Sequence, residues 1–185
     1  MDQPSNYCQA VERMTADNPN VYYHHYEYGF PLKNDDELFG RLILEINQAG
    51  LSWNTILRKQ ANFRNAYSNF QIQEIAVYGD TARERLLNDA GIIRNRLKIN
   101  AAIYNAQQIL GLQQDYGSFS AWLDHHHPLS KAEWVKLFKK HFKFVGGEIV
   151  NEFLMSTGYL KGAHHPDCPI YAEVLKTNPA WAQSR

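Results

Sequence analysis

Residues 35–57 read DDELFGRLILEINQAGLSWNTIL, and this stretch sets the fold class. Three acidic residues open it, and apolar residues then recur at helical spacing. Gly50 ends the predicted helix, because glycine readily adopts the left-handed backbone that terminates helices. Ser52 can cap a following helix that begins with Trp53. The stretch therefore predicts a helix, a tight turn containing Leu51, and a second helix.

Helical periodicity continues along most of the chain. After the helix at 35–49, the pattern predicts helices over about 53–68, 72–78, 81–89, 93–114, 119–124, 130–141 and 146–157. Three histidines and a proline at 125–128 predict a solvent-exposed loop. We find no useful strand-like alternation and no internal repeat in the sequence. We expect an all-α protein with one compact domain over residues 1–185, in which segments 1–20 and 173–185 are peripheral.

The composition is that of a folded domain of ordinary size. The chain has 185 residues, of which 44% are apolar and 13% aromatic, enough for one core. The N-terminus lacks the pattern of an export signal, and no run approaches the roughly 20 apolar residues of a membrane span. Cys8 and Cys168 are too few for a disulfide framework, which is usual in a reducing compartment. We therefore expect a cytoplasmic protein.

Charge is distributed unevenly, although the formal net charge is zero. Segment 91–100 carries +3 from Arg94, Arg96 and Lys98, and segment 131–143 carries +4. The rest of the chain carries −7. A single basic run is usually the solvated face of a helix, but two runs in one small domain favour a shared anionic partner.

A second helix–turn–helix connection is predicted at residues 141–147. Gly146 and Gly147 end this turn, and Lys143 precedes them. Such a junction presents backbone N–H groups at a helix N-terminus, which bind phosphate without reading base sequence. The same junction is also a common connector, so both interpretations stay open from these residues alone.

Five blocks of the sequence together resemble one family. They are YHHYEYGFP (23–31), LEINQAGLSW (44–53), NDAGIIRNRLKI (88–99), FKFVGGEIV (142–150) and HHPDC (164–168). Their order and spacing, over about residues 11–172, are similar to those of the constitutive bacterial 3-methyladenine DNA glycosylases. The resemblance implies a monomeric, all-helical member of the helix-hairpin-helix glycosylase superfamily. It would flip alkylated adenine out of double-stranded DNA and hydrolyse the N-glycosidic bond, without lyase activity and without the catalytic aspartate usual in that superfamily.

The resemblance assigns a base-binding pocket to four residues. Glu45 corresponds to the pocket carboxylate and is the expected catalytic residue. Trp53 corresponds to the wall on which the flipped base stacks, and Tyr23 and Tyr28 line the same pocket. An alkylated purine carries a positive charge, so an aromatic face and a nearby carboxylate would select it over normal adenine.

The resemblance also assigns the DNA contacts. The turn after the glutamate helix would supply a wedge, with Leu51 as the plug that fills the gap left by the flipped base. The complete set of expected DNA-contacting residues is Gly50, Leu51, Lys143 and Gly146.

The family usually carries a structural zinc held by two cysteines and two histidines. Three of these ligands have counterparts here: His24, His164 and Cys168. His25 competes with its neighbour for the histidine position. The family's other cysteine follows Glu-Arg, a position taken here by Met14, which is a poor zinc ligand. Cys8 could be the fourth ligand if the N-terminus folds back; the alternative is a metal-free relative.

Departures from the family pattern leave a second function open. Tyr28 stands where the family has a tryptophan, and the family's N-terminal tryptophan has no counterpart before Trp53. A pocket with fewer aromatic walls would bind the base less well or bind a different one. The alternative is therefore a family-derived damaged-DNA-binding protein with weak or no excision activity, or with a shifted base specificity. A scaffold without a DNA role rests only on the neutral net charge.

Overall fold

Helices form the secondary structure of residues 4–183, the part of the chain described by this computed structural model, and no strand occurs among those residues. The α-helices are α1 (Tyr7–Glu12), α2 (Pro19–Tyr26), α3 (Asp35–Gln48), α4 (Trp53–Arg58), α5 (Gln60–Ala66), α6 (Ile72–Ala76), α7 (Asp80–Asn88), α8 (Arg96–Tyr116), α9 (Phe119–His126), α10 (Lys131–His141), α11 (Gly147–Ser156) and α12 (Pro169–Lys176). Two short 3-10 turns lie at Ser68–Phe70 and Ala180–Ala182. The all-α expectation is confirmed. Over residues 4–183, every helix is too short or too polar to cross a membrane.

Several helix boundaries differ from the sequence pattern. The helix expected over 53–68 is two helices, α4 and α5, because the backbone at Lys59 turns to φ −102° and ψ 0°. α8 begins at Arg96 rather than near residue 93, because the Asn95 side chain accepts hydrogen bonds from the N–H groups of Leu97 and Lys98.

The exposed loop expected at 125–128 is only partly present, because His125 and Pro128 are exposed but half of the segment is helical. His125 and His126 form the last turn of α9, and His127 is buried. The buried Trp122 explains the extension, since its carbonyl oxygen accepts a hydrogen bond from His126 Nδ1 at 2.9 Å and its ring packs 5.1 Å from the His126 ring. This contact extends α9 to His126, although His125 in the same turn stays exposed.

Both ends of the described chain contribute buried residues. Asn6 caps α1 through its side chain, and α1 buries Cys8 and Val11. α12 buries Val174, and the backbone N–H of Trp181 donates to the carbonyl oxygen of Gly158 at 3.3 Å. The first and last helical segments of residues 4–183 are thereby attached to the rest of the domain.

Helix α3 lies at the centre of the fold. Every residue from Leu38 to Asn47 is buried, and the helix packs against α4, α8, α9 and α11. A helix buried on all sides is normally apolar, yet α3 carries Arg41 and Glu45. Buried charges require partners or a function, so these two residues point to the site.

The hairpin of α10 and α11 packs against α3 and carries the glycine turn. Phe142 and Val145 anchor the turn in the core. The side chain of Asn105, on α8, binds both main-chain groups of Lys143 in this turn. It accepts from the Lys143 N–H at 2.8 Å and donates to the Lys143 carbonyl oxygen at 3.1 Å. The hairpin is thus fixed relative to the central helix, and Gly146 stands at the N-terminus of α11.

Candidate active site

A pocket of about 280 Å³ opens beside the C-terminal half of α3. Five helices and the turn after α2, which carries Tyr28, supply its lining. The lining residues are Tyr7, Tyr23, Tyr28, Glu45, Gln48, Trp53 and Glu152, of which Gln48 ends α3. The structure therefore brings together all four residues expected in a base-binding pocket. It adds three that sequence reasoning missed.

Glu45 is the more deeply buried of the two acids that line this pocket. Glu45 is 2% exposed, and burial raises the pKa of its carboxyl to about 8, an effect that the nearby Arg41 guanidinium opposes. A cationic ligand in the pocket would favour the ionised form of Glu45 in the same way that Arg41 does. The pocket is therefore electrostatically suited to a positively charged guest.

Arg41 lies one helical turn before Glu45 and organises the inner wall. Its guanidinium donates to the Tyr23 hydroxyl at 3.0 Å and forms an ion pair with Glu27 at 2.9 Å. These bonds satisfy a guanidinium that is itself only 6% exposed. The positive charge of Arg41 is thus largely offset by Glu27, and Tyr23 is held in place.

Aromatic rings form the remaining walls. The Tyr23 ring lies 5.1 Å from the Trp53 ring and 5.4 Å from the Tyr28 ring, measured between centroids. Tyr7 of α1 packs edge-on to Tyr28 at 5.5 Å, and its hydroxyl donates to Asn20 at 3.0 Å. Tyr7 therefore supplies an aromatic wall that the sequence pattern seemed to lack. Its sequence neighbourhood gives no signal for this role, because α1 must first fold back onto α2.

An open groove of about 580 Å³ adjoins the pocket. It is lined by Ala49, Gly50, Leu51, Gly146, Gly147, Glu148 and Ile149, and it shares Glu45, Gln48 and Glu152 with the pocket. Gly50 has φ +84°, a conformation that favours glycine, and the turn leaves Leu51 41% exposed. Three of the expected DNA-contacting residues, Gly50, Leu51 and Gly146, thus surround one groove.

The remaining expected DNA contact, Lys143, lies on the surface next to the glycine turn. Its Nζ stands 4.0 Å from the centroid of the Tyr104 ring. The Lys143 backbone N–H already donates to Asn105, so a phosphate would meet the side chain of Lys143 rather than its main chain.

Lys98 is not the surface cation that the basic segment 91–100 suggested. It is 5% exposed, and its Nζ donates to the carbonyl oxygens of Asn47 and Ala49 at 2.9 and 2.8 Å. These carbonyls belong to the C-terminus of α3, where the helix dipole favours a positive charge. Lys98 therefore supports the turn that carries Leu51.

A cluster of cysteine and histidine side chains connects an N-terminal segment of the chain to a C-terminal one. It contains four buried residues, Cys8, His24, His164 and Cys168, whose donor atoms all lie within 4.8 Å of one another. The Sγ of Cys8 is 3.8 Å from His164 Nδ1, and the Sγ of Cys168 is 3.7 Å from His24 Nε2 and 3.9 Å from His164 Nδ1.

These four donors fit a tetrahedral zinc ion. Ligand atoms about 2.0 to 2.3 Å from a tetrahedral zinc lie roughly 3.3 to 3.8 Å from one another, close to the separations in this cluster. His164 Nε2 lies 2.7 Å from the carbonyl oxygen of Tyr28, a bond that leaves Nδ1 free to bind a metal. Cys8 takes the fourth position, and His25 instead bonds through Nδ1 to the Val21 carbonyl oxygen.

The fold and the pocket together define a class of protein. An aromatic pocket with a buried carboxylate, opening into a groove beside an exposed leucine and a helical hairpin, suits an enzyme that acts on a base extruded from nucleic acid. Residues 13–171 match the methyladenine glycosylase family. The chain belongs to that family.

Individual relatives agree with this assignment. The chain is 34% identical to DNA-3-methyladenine glycosylase 1 of Escherichia coli, with 82% of this chain and 90% of that protein covered. It is 31% identical to DNA-3-methyladenine glycosylase of Haemophilus influenzae, with 80% and 89% covered. The structure of 3-methyladenine DNA glycosylase I from Staphylococcus aureus superimposes with a TM-score of 0.77 at 31% identity, covering 84% of this chain and 93% of that one.

Proposed function

We propose that this chain binds an extruded 3-methyladenine base in the pocket of Glu45 and Trp53 and releases it from DNA. As a methyladenine glycosylase, it is a DNA-3-methyladenine glycosylase of base excision repair. The observation that carries the assignment of the site is Glu45, a buried carboxylate among aromatic rings in a pocket that opens into the Leu51 groove. The aromatic wall from Tyr7 favours excision over a binding protein with a weakened pocket.

Extrusion of the base precedes chemistry, because a base inside the duplex cannot reach the pocket. The turn at Gly50 and Leu51 would enter the duplex, with the leucine side chain in the space that the base leaves. Gly146 and the first turn of α11 offer N–H groups to a phosphate on the other side of the groove, and Lys143 adds a positive charge beside it. These contacts position DNA without reading its sequence.

Charge selects the damaged base. A carboxylate about 4 Å from a cationic purine contributes about 4 kcal/mol at an effective dielectric of 20, and normal uncharged adenine forfeits most of this. Stacking on Trp53 and Tyr23 adds roughly 1 to 3 kcal/mol, with a cation–π component. Discrimination thus follows from electrostatics as well as from shape.

The glycosidic bond then breaks with the electron pair going to the base. The cationic base leaves as a neutral molecule, so it needs little help from a general acid. Water adds to the anomeric carbon of the sugar after or as the bond breaks. The cationic base favours the ionised form of Glu45, whose negative charge holds the base until the bond breaks.

We further propose that Cys8, His24, His164 and Cys168 hold a structural zinc ion. Zinc would tie α1 to the segment after α11 and thereby fix Tyr7 against Tyr28. We also propose a monomer in the cytoplasm, because the pocket is built from one chain and the substrate is double-stranded DNA with alkylated bases.

Base release from methylated duplex DNA tests the proposed function. Chromatography of the supernatant should show free 3-methyladenine, produced in proportion to protein concentration. The Trp53→Ala variant should release it much more slowly, because the flipped base loses its stacking surface. Binding of methylated DNA without release of any base would contradict the proposal and favour the damaged-DNA-binding alternative.

A further inference from the structure

The pocket contains a second carboxylate that the proposed function does not use. Glu152 lies on α11 and lines both the pocket and the adjoining groove. It is close enough to Glu45 that its negative charge contributes to raising the pKa of Glu45. A second acidic side chain in a pocket for a cationic base calls for a separate role.

Tyr28 fixes the position of this carboxylate. The Tyr28 hydroxyl donates to Glu152 Oε2 at 3.1 Å, across 124 residues of sequence. Burial raises the pKa of Glu152 above its ordinary range, and the bond from Tyr28 opposes that rise by favouring the ionised form. The family resemblance predicts a tryptophan at the position of Tyr28. The indole N–H of a tryptophan would not lie where the Tyr28 hydroxyl lies. The tyrosine and the glutamate therefore form a matched pair in this chain.

The two carboxylates lie at different depths. Glu45 is 2% exposed, whereas Glu152 is only partly buried. When a base occupies the pocket and the phosphates follow the groove, the sugar and the glycosidic bond must lie at the boundary between them. Glu152 lines both spaces and is the less buried acid, so its carboxylate faces this boundary, where water from the groove is available.

We propose that Glu152 is a catalytic residue that accepts a proton from the attacking water. In this step the water oxygen forms a bond to the anomeric carbon, and the bond from that carbon to the purine nitrogen breaks. Its electron pair leaves with the cationic base, which becomes neutral, and one water proton moves to the Glu152 carboxylate. The carboxylate also stabilises the positive charge that develops on the sugar. This division of roles leaves Glu45 to bind the base.

The inference rests on the proposed function. Comparing each variant with the wild type in excision rate and in affinity for the free base distinguishes a failure of the inference from a failure of the proposed function. The variants are Glu152→Gln, Tyr28→Phe and, as a control, Glu173→Gln on α12, whose side chain is 53% exposed. The first readout is the single-turnover rate of 3-methyladenine release from methylated duplex DNA. The second is the affinity for free 3-methyladenine, measured by titration calorimetry. Thermal melting confirms that each variant folds.

Loss of a general base should lower the rate of the Glu152→Gln variant by about 100-fold or more. The affinity for the free base should stay close to that of the wild type, because Glu45 and the aromatic walls remain. Tyr28→Phe, which removes one hydroxyl, should lower the rate by a smaller factor, and Glu173→Gln should leave it unchanged.

Two results would overturn the inference while the proposed function stands. One is an unchanged rate in Glu152→Gln; the other is a fall in affinity for the free base that matches the fall in rate, which would make Glu152 a base-binding residue. If Glu152→Gln fails to fold, an unchanged rate in Tyr28→Phe is the overturning result. No release by the wild-type protein would contradict the proposed function, and the inference with it.

Discussion

Some residues of the pocket can be predicted from the sequence and others cannot. Glu45 and Trp53 are identified by the block LEINQAGLSW, because a fixed turn separates them. Tyr7 and Glu152 reach the pocket from α1 and α11, and nothing in their local sequence distinguishes them from other surface residues of a helix. Their roles depend on tertiary packing, which a pattern of local spacing does not contain.

Glu45 also has a consequence for stability. Its pKa rises from 4.5 in the unfolded reference to about 8 in the folded protein. The folded state therefore binds more protons than the unfolded state between these values, and the contribution of Glu45 to stability falls as pH rises from about 4.5 to 8. Glu45→Gln removes this cost. We expect the variant to melt at a higher temperature than the wild type at pH 8, with a smaller difference at pH 5.

Thermal melting by circular dichroism at the two pH values checks this expectation. Glu173→Gln, an exposed change of the same chemistry, is the matched control and should show no such pH-dependent difference. A Glu45→Gln variant less stable than the wild type at pH 8 would show that the ionised carboxylate stabilises the fold.

At the scale of elements, the sequence predicts the helices better than it predicts which side chains near their ends are buried. The helix–glycine turn–helix at 35–57 is present, and Gly50 ends α3 as expected. For the basic segment 91–100, the sequence instead predicts cations that face solvent or a shared anionic partner. The register of α8 relative to its cap at Asn95 decides which of these side chains turns inward. That register places Lys98 under the Leu51 turn.

Lys98→Met tests the support that this lysine gives to the turn. The substitution keeps an unbranched side chain, shorter by the amino group, and leaves the carbonyl oxygens of Asn47 and Ala49 without their donor. We expect a loss of about 1 to 3 kcal/mol in the free energy of unfolding. Excision from duplex DNA should slow more than the binding of free base weakens, because the wedge acts only on DNA.

Chemical denaturation and the excision assay provide the two measurements. Arg94→Met, an exposed residue of the same segment, is the stability control and should change the free energy of unfolding little. Equal stability of Lys98→Met and the wild type would mean that water satisfies these carbonyls and that the turn does not depend on Lys98.

At the scale of the whole molecule, the contact between the N-terminal and C-terminal segments is the feature that is hardest to predict from sequence. Cys8 and Cys168 are 160 positions apart, yet both lie in the cluster with His24 and His164. The spacing of the family pattern pointed to Met14, and the structure instead recruits Cys8 by folding α1 back onto α2. Because Lys98 is buried, segment 91–100 presents fewer cations to phosphates than its charge suggests, and we expect modest non-specific binding to DNA.

Elemental analysis of the purified protein tests whether this cluster binds zinc. We expect about one zinc per chain in the wild type and in Met14→Ser, and loss of zinc in Cys8→Ser. Removal of zinc by a chelator should lower the melting temperature, because the metal binds only the folded cluster. A wild-type protein whose melting temperature does not change with added zinc or chelator would contradict the proposed structural zinc site.

The central claim is that a buried carboxylate recognises the positive charge of the damaged base. The single-turnover rate of 3-methyladenine release by Glu45→Gln, relative to the wild type, measures this most directly. The substitution preserves shape and removes the charge. At pH 7, ionising a carboxyl whose pKa is about 8 costs about 1.4 kcal/mol, so the attraction of about 4 kcal/mol leaves a net loss of about 2.6 kcal/mol and a rate about a hundredfold lower. A Glu45→Gln rate within about tenfold of the wild type would contradict the claim, because less than about 1.4 kcal/mol would then come from charge.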